Sequence, residues 1–149
     1  MRVFRFALAL LALPIAGGAE AAMCVDGRPS IGDEFRKAAF VVDAKLVQVE
    51  RNVPFSYLYG GERIEERMDR LTFRLLHAYK GAPERLIRLD NPHDSAALPV
   101  EQGKAYLLFI NRREPGGDLY IDTCGVSNPL PYVSRQTRNS VRKLGRKAG

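Results

Sequence analysis

The chain has 149 residues, 46% of them hydrophobic, with 23 Lys and Arg against 17 Asp and Glu and a formal net charge of +6. That length suits one domain able to bury a real core, and the basic balance favours acidic surfaces or polyanions without selecting one. Two histidines, two cysteines and no H-E-x-x-H, G-x-S-x-G, P-loop or dinucleotide fingerprint argue against an enzyme, a resident metal or a cofactor.

The first 21 residues carry Arg2 and Arg5, then the apolar run "FALALLALPIAGG", then Ala19-Glu20-Ala21. This is the order of a secretory signal peptide, with cleavage expected ahead of Ala22. The apolar run is well short of the ~20 residues that span a bilayer. The expected product is an exported monomer, periplasmic or extracellular, with no membrane span and one domain over 22–149. In an oxidising compartment, Cys24 and Cys124 are read as one disulfide, since the spacings of redox and metal cysteine pairs are absent. In the chain-entropy model a loop of this length is worth about 4.7 kcal/mol.

After a turn-rich "VDGRPSIGDEF", the stretch "DEFRKAAF" reads as a short helix with acids first and bases later. The first strand follows, with Val42, Ala44 and Leu46 on one face. From Val47 the apolar phase flips to Val47 and Val49, which predicts a β-bulge and a bent strand. Gly60-Gly61 lies between two extended segments, as a two-residue hairpin turn requires. The arm is aromatic before that turn and charged after it, so its tip is expected to project. Phe55, Tyr57 and Tyr59 on this arm are the candidate partner-contact residues. Alternation leaves open whether they face a partner or fold back onto the core.

Leu71, Phe73 and Leu75 alternate along a second strand, and His77 continues their phase, which places it at the core edge. "RLIRLDNP" is a third strand and "HDSAALPVEQG" a loop whose His93-Asp94 pair lacks the company a metal site needs. "KAYLLFINRR", apolar on both faces, reads as the most buried strand. "LYIDTC" is the fifth strand. Val133, Thr137, Val141 and Leu144 recur at helical spacing in a C-terminal helix that Gly145 is expected to end. The basic residues around them read as a solvated face, and export argues against nucleic acid as a partner.

The fold these elements predict is mainly β: a five-stranded OB-fold Greek-key barrel with a short N-terminal helix and a C-terminal helix, a β-sandwich being the other arrangement the strand count allows.

In this order, "FRKAAFVVDAKLVQV", "TFRLLHAYKG", "GKAYLLF" and "LYIDTCGVSNPL" resemble the bacterial proteins similar to tissue inhibitors of metalloproteinases, the netrin-like OB-fold group. In that family the mature chain begins Cys-x-Cys, and the second cysteine pairs with the one ending the fifth strand. Cys24 and Cys124 match that pair, and Ala22 stands where the family has its first cysteine. The loop that would hold the first cysteine's partner, "NPHDSAALPVEQG", has no cysteine either. The resemblance implies that a metalloprotease zinc could be chelated by the α-amine and carbonyl oxygen of Ala22. Met23, Cys24, Val25, Gly125, Val126 and Ser127 would then be the other protease-contact residues. Two functional readings follow. One is an exported domain that binds a protein partner without inhibiting a protease; the other is a zinc-metalloprotease inhibitor acting through its mature N-terminus.

Overall fold

The computed structural model describes Cys24 and residues 27–93, 97–113 and 117–148. The expected signal peptide, its cleavage point, and Ala22, Met23 and Val25 lie outside the described residues. The first element is helix α1 (Ile31–Lys37). The Ser30 hydroxyl caps it by accepting the Asp33 N–H at 3.1 Å, and Asp33 and Glu34 occupy the first turn, where the helix dipole favours acids. Ala38 leaves helical geometry and leads into the sheet. At this end Lys80 Nζ donates to the carbonyls of Phe35, Arg36 and Ala38 at 2.6–2.8 Å, satisfying acceptors that the helix itself cannot pair. Burial holds the Lys80 ammonium below its usual pKa.

The sheet contains β1 (Phe40–Tyr59), β2 (Glu62–Lys80), β3 (Leu86–Pro92), β4 (Ala105–Arg112), β5 (Leu119–Ile121) and the two-residue β6 (Asn128–Pro129). Its order is β3-β2-β1-β4-β5, with β6 paired to β4, and every pairing is antiparallel. The bulge expected at Val47 is present: the register slips between Leu46 and Gln48, and it slips three more times along β1. Gly60 and Gly61 have φ of 59° and 87°, which side-chain-bearing residues rarely adopt and which the tight hairpin turn demands. Strand β4 is the most buried, with Tyr106 to Asn111 all inaccessible.

Its two faces serve two cores. Tyr106, Leu108 and Ile110 pack with Val42, Ala44, Leu46, Leu71 and Phe73. Leu107 and Phe109 pack with Phe35, Ala38, Val41, Val133 and Val141, beneath the two helices. Helix α2 (Arg135–Ala148) starts behind Ser134, whose hydroxyl accepts the Thr137 N–H at 3.0 Å. Of the residues that the spacing marked, Val141 is buried in the helix, Thr137 and Leu144 are partly buried, and Val133 is buried just ahead of it.

Several expectations need correction. The sheet is not closed into a barrel: no ladder joins β3 to β5 among the described residues. β5 has three residues, because Asp122–Gly125 turns away, with the Gly125 N–H donating to the Asp122 carbonyl at 2.9 Å. Cys124 therefore sits in a turn, beyond the end of the strand. The first two strands, at 20 and 19 residues, are far longer than the short strands of a small Greek-key barrel. Gly145 does not end the helix; it lies inside α2, where a Cβ would come within 2.8 Å of the Tyr79 carbonyl, so it serves close packing of α2 on β2. His77 is exposed, its ring edge-on to Tyr79 at 4.5 Å. Strand β3 reaches along β2 only as far as Arg74, so the residues beyond lose that neighbour.

Candidate functional site

The β1–β2 hairpin bends where its register slips between Glu50 and Val53. Asn52 has φ of 56°, a left-handed conformation that asparagine tolerates better than most residues. Its N–H donates to Asp69 Oδ1 at 3.2 Å, and its carbonyl accepts from Arg67 at 2.9 Å. Asp69, 5% exposed, also accepts from Arg51 at 2.6 Å and pairs with His93 Nε2 at 2.8 Å. The His93 bond, aided by the Asn52 N–H and the Arg51 charge, holds the Asp69 carboxyl below the usual carboxylate range. His93, read from sequence as a loop residue, thus fastens β3 to the bend.

Beyond the bend the aromatic residues grade outward. Phe55 is half-buried, Tyr57 is 38% exposed and Tyr59 is 74% exposed. The base of the arm is thus partly buried and its tip projects. All three line one face of a groove of about 650 Å³, with Leu119, Tyr120 and Ile121 of β5 on the other side. Leu71 and Leu89 contribute to it from the sheet, where β3 and β5 come close without pairing. Glu66, Asp90, Asp118 and Asp122 line the groove against a single basic side chain, Arg113, among the described residues. An acidic, largely apolar groove thus opens in a basic chain. Tyr57 Oη donates to Glu66 at 3.2 Å, and partial burial together with that bond raises the phenol above its usual pKa.

The second candidate region is the disulfide corner. Cys24 and Cys124 are bonded, with Cα atoms 5.7 Å apart. Of the following residues, Val126 packs partly against the core beneath the helices, and the Ser127 hydroxyl accepts the Phe109 N–H at 2.9 Å. These contacts anchor the segment after Cys124 to β4. Gly125 abuts Glu34 of α1: a Cβ there would fall 2.9 Å from Glu34 Oε2. The corner lines a pocket of about 270 Å³ that shares Asp122 with the aromatic groove. The two candidate sets are therefore neighbours through Asp122, although they form separate pockets.

Sequence reasoning missed Glu34, which is 2% exposed. The signal was available: Glu34 lies three residues after Ile31 and four before Ala38, on the helix stripe that packs inward. It also missed Asn111, whose side-chain amide is buried without a partner among the described residues. Asn111 lies in phase with Leu107 and Phe109, at the end of an otherwise apolar strand.

No protein-family model matches the chain, and no curated protein matches it. Among the described residues no cluster of His, Cys, Asp or Glu could hold a metal ion, and no helix is long and apolar enough to cross a membrane.

Proposed function

We propose that the protein is an exported, non-enzymatic binding domain with an open antiparallel sheet, resembling the bacterial proteins similar to metalloproteinase inhibitors, and that it holds a protein partner in the aromatic groove. The observation that carries this reading is the groove itself. Three aromatic side chains of graded exposure line it together with β5 and four carboxylates. Aromatic anchors set in such a pocket are the residues that dominate protein binding energies. Asp90 and Asp122 are paired with Arg70 and Lys37, but Glu66 and Asp118 have no ion pair among the described residues and favour a partner segment with basic side chains flanking apolar ones. A disulfide closing a loop of 100 residues suits an oxidising, extracytoplasmic compartment.

The test is site-specific photocrosslinking in the exporting cell, with the reactive group placed at Tyr57 or Tyr59 and, as a control, at Arg146 on α2. A discrete adduct from the tyrosine positions only is expected. Equal labelling from Arg146, or none from either tyrosine, removes the groove as the binding surface.

The second reading, metalloprotease inhibition, is favoured by one observation: Cys24 is tied to Cys124 two residues from the expected new N-terminus. A restrained end loses less freedom on binding a zinc site. Adding one residue ahead of Ala22 would displace the chelating amine and should abolish inhibition of a zinc protease. Equal potency after that extension excludes chelation.

A further inference from the structure

We propose that the pocket beneath the Cys24–Cys124 disulfide binds an ammonium group, with Glu34 as its counter-ion. The ammonium comes from one of two sources: the α-amine of a chain cleaved ahead of Ala22, or a small primary amine in solution.

Glu34 is 2% exposed, and its Oε2 has no hydrogen-bond partner among the described residues. A buried carboxyl without a partner is costly, and most such groups in folded proteins are satisfied by a ligand, water or ion. The pocket it lines, about 270 Å³, is large enough for an alkylammonium head.

The charges around it leave one place unfilled. Asp33, on the same helix, is paired with Arg36 and accepts from the Ser30 hydroxyl at 2.6 Å. Asp122, on the turn after β5, is 3.3 Å from Lys37 Nζ. Each of these carboxylates has its own cation, whereas Glu34 forms no ion pair among the described residues. The Lys37 charge favours its ionised form while burial, the larger effect, and Asp122 oppose it, so Glu34 is held above its usual pKa. One further positive charge is what the pocket lacks.

The surroundings suit an ammonium better than a metal. The other walls are Gly27, Pro29 and the disulfide, which provide no anionic ligands. Gly125 matters because a side chain there would come within 2.9 Å of Glu34 Oε2 and 2.8 Å of the Asp122 carbonyl. Its missing Cβ leaves room beside the Glu34 carboxyl; the Asp122 carbonyl already accepts the Gly125 N–H at 2.9 Å. Ala22 is two residues ahead of Cys24, which itself lines the pocket. Two residues of chain span at most ~7 Å, enough to return an α-amine to a pocket of this size.

An amine engaged by Glu34 is unavailable to a metal. This inference is independent of the partner groove and distinguishes a self-engaged N-terminus from a chelating one.

The test follows the Glu34 carboxyl carbon by NMR through a pH titration, in a chain whose first residue is Ala22 and in the same chain bearing an Nα-acetyl group. The acetylated chain is then titrated again with methylammonium chloride, against sodium chloride at equal ionic strength. If the source is the chain's own end, acetylation increases the proton affinity of Glu34 at least tenfold. If the source is a free amine, acetylation changes nothing and methylammonium lowers that affinity at least tenfold where sodium does not. A Glu34 titration indifferent to both acetylation and methylammonium overturns the proposal.

Discussion

The two halves of the β1–β2 hairpin share one continuous run of antiparallel pairing, yet they differ in almost everything else. In the half nearer the helices, Val42, Ala44, Leu46, Leu71 and Phe73 are 0–1% exposed and pack in the main core, while Arg74, Leu76 and His77 at the end of β2 remain exposed. In the distal half, most side chains from Val53 to Glu66 are exposed, and Tyr59 at the tip is 74% exposed. Backbone pairing alone therefore does not distinguish them. What does is whether another layer exists to receive the side chains, and that layer ends at the bend held by Asn52 and Asp69. The proximal half carries stability, and the distal half, relieved of packing, is free to carry contacts.

The sharpest way to break this contrast is to empty the proximal half. Phe73→Ala removes a fully buried ring that meets Tyr106 edge-on at 5.8 Å. It should lower the unfolding free energy by about 3–5 kcal/mol in a denaturant titration. A loss below 1 kcal/mol would mean that the core is not where the burial places it.

Replacing both Cys24 and Cys124 by serine should cost about 2–5 kcal/mol, because the 100-residue loop they close is freed in the unfolded chain. The unfolding midpoint of the reduced wild-type protein should fall in step with that of the double variant. Disagreement between the two would show that the serine side chains, rather than the missing link, are responsible.

Asp69→Asn addresses the boundary itself and should cost about 1–3 kcal/mol, the range for a buried hydrogen-bonded charge. The pH dependence has a definite sign. Because the folded state holds the Asp69 carboxyl below its unfolded value, its contribution is complete above the ordinary carboxylate range. That contribution is lost as pH falls through the lowered folded value. Wild type should therefore lose stability on acidification more steeply than the asparagine variant below about pH 4. Parallel acid limbs would exclude the Asp69 cluster as their cause.

The smallest effect belongs to the tip. Tyr59→Ala should leave the unfolding midpoint unchanged, as at other exposed sites, while reducing the partner adduct formed from a crosslinker at Tyr57. A clear drop in stability instead would reassign Tyr59 from contact to packing.

Much of this organisation was legible in the sequence. The phase flip at Val47 marked a real register slip, Gly60-Gly61 marked the turn, and the unbroken apolar run from Ala105 to Ile110 marked the strand buried on both faces. The cysteine count, two and no more, with neither redox nor metal spacing, marked the disulfide. These are local or compositional signals: a period of two, a backbone that needs positive φ, and thiols in an oxidising compartment are set by the residues themselves.

Tertiary structure alone decided the rest, because the outcome depended on what lies across from each residue. Whether the sheet closes turned on the length of β5, which the Asp122–Gly125 turn cuts to three residues. Gly145 reads as a helix terminator until the Tyr79 carbonyl is seen against it. His77 keeps the core phase but outruns β3 and meets water. Glu34 and Asp69 carry the same kind of group and are both buried. Asp69 is bonded by three donors, while Glu34 Oε2 finds none among the described residues, a difference of neighbours brought from distant parts of the chain. Periodicity specifies which face turns inward; only the packed fold specifies what that face finds there.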